Sequence, residues 1–166
     1  MADFVAVCAS NRPRPNDPEA VRKILAAYHV DSDLRLGVEP HAQSHAPQLF
    51  LYGYAWPEAW KLPTGVAAED FNPFDDEYDE LGAEGFAQLL RELALHLEEP
   101  LTVHAVGCIQ CRFPLSACEW HIEPGATVVE INEFRYGSRE PSLQVSLTER
   151  NRSIADTSPG DARDAG

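Results

Sequence analysis

The spacing of apolar residues marks out the regular elements of the chain in order. Phe4-Val5-Ala6-Val7-Cys8 is a short continuous apolar run, the pattern of a strand buried on both faces. A segment with two prolines follows and ends at Asp17-Pro18, an N-cap with Pro at the first helical position. Val21, Ile24, Leu25 and Tyr28 then recur at helical spacing, which predicts a helix of about three turns closing near Val30. Leu34, Leu36 and Val38 alternate with Arg35 and Gly37, so a half-solvated strand at a sheet edge is expected there.

From Gln48 to Trp56 apolar groups occupy both faces, Leu49 and Leu51 on one and Phe50, Tyr52, Tyr54 and Trp56 on the other, which predicts a central strand. The alternating aromatics resemble the base-stacking strand of the RNA-recognition motif, but only over these few residues and with no flanking basic side chain, so the stripe is read as core. Residues 57–80 form a long connection without an assignable element. A second helix runs from Ala83 to Glu98, with Phe86, Leu90, Leu93 and Leu97 on one stripe and Pro100 as its stop. A fourth strand places Val103, Ala105 and Ile109 on one side and Thr102, His104 and Gln110 on the other. Ala117 to Glu123 and Thr127 to Arg135 then form a hairpin around Pro124-Gly125. Leu143, Val145 and Leu147 suggest one further short strand.

The resulting order is that of the split-βαβ, ferredoxin-like class of α+β folds, βαββαβ. That class puts the first and third strands in the centre of an antiparallel sheet, two helices on one face, and here a C-terminal β-hairpin extension beside the fourth strand. A single domain is expected over residues 1–148, with a disordered polar tail over 149–166.

Composition changes this picture in one respect. The 166 residues carry 27 acidic against 13 basic side chains, a net charge of -14. Such a surface repels phosphate backbones and attracts basic partners, so direct nucleic-acid binding is disfavoured. No apolar run approaches 18 residues, which predicts a cytoplasmic protein with no membrane span, and its cysteines are then expected to be reduced. The acidic-aromatic stretch Glu69, Asp70, Phe74, Asp75, Asp76, Glu77, Tyr78, Asp79 and Glu80 is the candidate partner-binding arm. It is not a calcium loop, since Phe74 and Leu81 stand where oxygen ligands are needed.

Candidate chemistry is confined to Cys108-x2-Cys111 and Cys118-x2-His121, four soft ligands spaced in pairs like a short zinc site. Residues three apart on a regular strand point to opposite faces, so Cys108 and Cys111 can converge only where the strand ends or bulges. Buried cysteines with a satisfied histidine are the competing explanation. Four protein ligands would close the coordination sphere, so any zinc here would be structural. The chain contains no nucleophile elbow, phosphate loop or HExxH helix. The expectation is therefore a non-catalytic acidic binding or inhibitory module that docks on a basic protein, at a site of the kind that holds nucleic acid. The alternative is a small zinc-containing domain or metal-dependent enzyme using Cys108, Cys111, Cys118 and His121.

Overall fold

The structure, a computed structural model, describes residues 4–73, 82–109 and 113–135. It is an α+β arrangement of a six-stranded, mostly antiparallel sheet and two helices. The elements are β1 (Phe4–Ser10), α1 (Pro18–Ala26), β2 (Tyr28–Val30), β3 (Leu34–Pro40), β4 (Pro47–Gly53), β5 (Ala59–Lys61), α2 (Gly82–Ala94), β6 (Leu101–Ile109), β7 (Phe113–Ile122) and β8 (Glu130–Arg135). The main sheet has the order β3-β4-β1-β6-β7-β8, and β2 pairs with β5 in a separate two-stranded sheet. β1 and β4 are thus interior neighbours, with β3 at an edge.

α1 begins where its cap predicts: the Asp17 carboxylate accepts from the Ala20 amide at 2.9 Å, and Pro18 needs no such partner. It stops at Ala26, one turn earlier than its spacing predicts, because Tyr28 and Val30 instead pair with Lys61 and Ala59. An aromatic and a β-branched residue suit a strand, and burying the Tyr28 ring there outweighs another helical turn. α2 also ends early, at Ala94 rather than Glu98. Its last amides bond at three-residue spacing, His96 to the Leu93 carbonyl at 2.9 Å, while the Gly125 amide takes the Ala94 carbonyl at 2.8 Å. Lys61 of β5 meets Glu92 of α2 at 2.6 Å, which ties the small sheet to the helix.

Both helices share one buried cluster with the sheet: Val21 of α1 and Phe86, Leu89, Leu90 and Leu93 of α2 join Cys8, Leu34, Leu49, Leu51, Val103, Cys118 and Ile122. Trp120 packs edge-on against Phe86 at 5.5 Å and against Trp56 at 5.9 Å. Alternation along each strand sends the intervening residues to the other face, and there two expectations fail. β1 is buried on one face only, with Ala6 and Cys8 inside and Val7 exposed. The β4 aromatics are not core either: Phe50 is half-buried and Tyr52 exposed, because both helices lie on the Leu49 and Leu51 side. The predicted hairpin forms between β7 and β8 around Gly125 at φ +70, with the Ala126 amide closing on the Glu123 carbonyl at 3.0 Å. The expected strand at Leu143 to Leu147 and the tail over 149–166 lie outside the described residues.

Candidate functional site

The register of β6 and β7 separates the expected zinc ligands. Cys118 pairs with Ala105 and is buried toward the helices, whereas His121 pairs with Thr102 three residues further on and takes the opposite face. The His121 ring is engaged there, Nδ1 with Thr102 Oγ1 at 2.9 Å and Nε2 with Glu123 Oε1 at 3.2 Å. Cys108 pairs with Pro114 beyond a register shift between Gly107 and Cys108, so the strand does bulge where convergence would require it. Even so, the backbone of Cys108 is six residues along β6 from the level of His121, about 20 Å at ~3.3 Å per residue. Zinc needs its donors within ~2.3 Å of the ion. Cys111 lies outside the described residues. Among the described residues, no group of three or more His, Cys, Asp or Glu side chains is placed to hold a metal ion.

Cys8 and Cys118 are free thiols in the core. Burial pushes the Cys8 thiol up to about 12. Burial likewise pushes Cys118 up to about 12, reinforced by the Glu133 charge and opposed by a backbone hydrogen bond at Glu119. Both thiols are therefore protonated at neutral pH and act as packing residues, since it is the thiolate that attacks or binds metal.

Of the candidate partner-binding arm, Glu69 and Asp70 are exposed on a turn in which the Asp70 amide bonds the Ala67 carbonyl at 3.0 Å. Phe71, next in sequence, is buried with its ring 5.3 Å from that of His29, anchoring this end of the connection. Phe74, Asp75, Asp76, Glu77, Tyr78, Asp79 and Glu80 lie outside the described residues.

The sheet face opposite the helices carries apolar residues that the alternation of β1 and β6 left unassigned. Val7 pairs with Val106, Val106 with Ala117 and Ala117 with Phe134, so one apolar row crosses β1, β6, β7 and β8. Directly paired residues share a face and touch. Val7 is 48% exposed, Val106 42%, Phe134 54% and Tyr52, one row away beside Ala9, 49%. Polar groups lie along one side of the row: His104 Nδ1 faces Glu119 Oε2 at 3.2 Å, and the Asn132 side-chain amide donates to Glu119 Oε1 at 3.2 Å. Beyond them, Glu123 and Glu130 form an exposed acidic rim around the half-buried His121. A sequence signal for this surface existed in the Thr102, His104, Val106 alternation, whose outward face mixes polar and apolar residues.

The described residues form an α+β protein with both helices on one face of the six-stranded sheet, and among them nothing covers the other face. No protein-family model, curated protein or solved structure matches the chain. Among the described residues, no helix is long and apolar enough to cross a membrane.

Proposed function

We propose that this chain is a non-catalytic binding module that docks a basic protein on the open face of its sheet, with the acidic segment Glu69 to Glu80 steering the encounter. The observation that carries this reading is the apolar row Val7, Val106, Ala117 and Phe134, of which Val7, Val106 and Phe134 are exposed, with Tyr52 one row away and the Glu123 and Glu130 carboxylates beyond it. Apolar centres give an interface its adhesion, while charge complementarity gives it speed and choice of partner. At -14, the chain favours a basic partner and opposes phosphate. The scaffold is best read as a split-βαβ, ferredoxin-like unit made of β1, α1, β3, β4, α2 and β6, with β7 and β8 as its extension. The order β3-β4-β1-β6 and the antiparallel pairing of those strands support that reading.

The test is affinity capture from the native cell extract with the parent and with a Val7→Thr, Val106→Thr, Phe134→Thr variant, quantified by mass spectrometry over a salt series. A basic protein should be retained by the parent, lost by the variant, and retained less as salt rises, because the Debye length falls from ~10 Å at 0.1 M to ~3 Å at 1 M. Equal capture by both proteins at every ionic strength would refute the proposal.

A further inference from the structure

β3 is the edge strand of the main sheet, and its outer side is a ladder with no partner among the described residues. Backbone directions follow from its neighbour. The Leu49 amide of β4 bonds the Pro13 carbonyl and the Leu51 amide bonds Ser10 Oγ, both at 3.0 Å and both on the β1 side. Phe50 and Tyr52 therefore turn their amides toward β3, where they pair with Gly37 and Arg35. By the same alternation, Leu36 and Val38 direct their N–H and C=O groups outward.

We propose that two copies of the chain pair edge to edge through β3, antiparallel about a two-fold axis at Gly37, joining their sheets into one. Three features of the strand select this register. Leu36 of one copy meets Val38 of the other, so the outward donors and acceptors of both are satisfied, and their half-buried side chains extend the apolar layer on the helix side. Arg35 of one copy faces Glu39 of the other, twice by symmetry; sliding the register by two residues either way sets Gly37 opposite one of these charges instead. Glu39 already holds Arg12 at 2.6 Å, and Arg35 of the second copy completes a three-member ion network on each side of the axis. Gly37 fits the axis itself. Its missing Cβ lets the Phe50 ring lie over it, with Cζ only 3.0 Å from where a Cβ would be, so the two Phe50 rings meet across the two-fold on the open face. The Cα atoms of a facing non-hydrogen-bonded pair are about 4.5 Å apart, which brings those rings into contact.

Sedimentation equilibrium over a concentration series, at about 0.15 M salt to shorten the range of repulsion between two chains of charge -14, decides the matter. The parent should pass from the 18.4 kDa chain mass to twice that value as concentration rises. Arg35→Glu and Glu39→Arg should each weaken association by about tenfold or more, and the R35E/E39R double variant should regain it because the swapped pair is again self-complementary. Val38→Pro, which removes an outward N–H and leaves the β4 ladder intact, should abolish pairing while circular dichroism stays native. A parent that remains at 18.4 kDa at every concentration would overturn the proposal, and so would a natively folded double variant no better associated than the single ones.

Discussion

Cys118 illustrates how a residue that suggests chemistry in the sequence becomes packing in the fold. Its thiol and that of Cys8, both raised to about 12 by burial, must stay protonated for the core to persist. A folded-state pKa above the unfolded value of ~8.5 contributes stability that is full at neutral pH and is lost as pH rises toward 12. Denaturant midpoints should accordingly fall as pH rises above about 9, and a Cys8→Ala, Cys118→Ala variant should show a shallower fall; identical slopes would refute this assignment. The same geometry predicts that Cys118→Ala and His121→Ala leave zinc content unchanged in elemental analysis. Loss of about one equivalent in both would contradict it. The pairing of Cys108, Cys111, Cys118 and His121 was legible as a motif because ligand spacing is a property of the sequence. Whether Cys118 and His121 face each other depends on strand continuity through residues 117–122, which spacing alone does not reveal.

Among the elements, α2 shows the sequence at its most informative. Its stripe of Phe86, Leu90 and Leu93 is the one that is buried, and Phe86→Ala should cost ~3–5 kcal/mol in chemical denaturation, whereas a cost under ~1 kcal/mol would remove α2 from the core. The β2–β5 sheet shows the opposite. No alternation in Tyr28 to Val30 or Ala59 to Lys61 announces a strand, since three-residue pairs carry too few positions for it, and the end of α1 absorbs the first into its own period. What secures that small sheet is Glu92, whose carboxylate meets Lys61 at 2.6 Å and the Gln88 side-chain amide at 3.2 Å. Burial acts to raise its pKa, but Lys61, Tyr28 and Gln88 outweigh it and hold the carboxyl below the ordinary glutamate range. A lowered pKa contributes stability above the unfolded value of ~4.3 that is lost as pH falls through the folded one. Glu92→Gln should therefore lower the melting temperature at pH 7 but have little effect once Glu92 is protonated. An equal effect at both pH values would show that the ion pair contributes nothing.

At the scale of the whole molecule, the α+β class and the interior place of β1 and β4 followed from pattern, whereas the allocation of apolar residues to two faces did not. An apolar run such as Phe4 to Cys8 looks the same whether its second face meets helices, a partner or water; only the placement of both helices on the Leu49 and Leu51 side decides it. That open face is the centre of the functional account, and the capture experiment with Val7→Thr, Val106→Thr and Phe134→Thr tests it most directly. All three residues are exposed, so these changes should alter stability by only about 0.5 kcal/mol each and leave the fold intact. The account predicts a basic protein held by the parent, released by the variant and held less at high salt. Undiminished retention by a natively folded variant would contradict it.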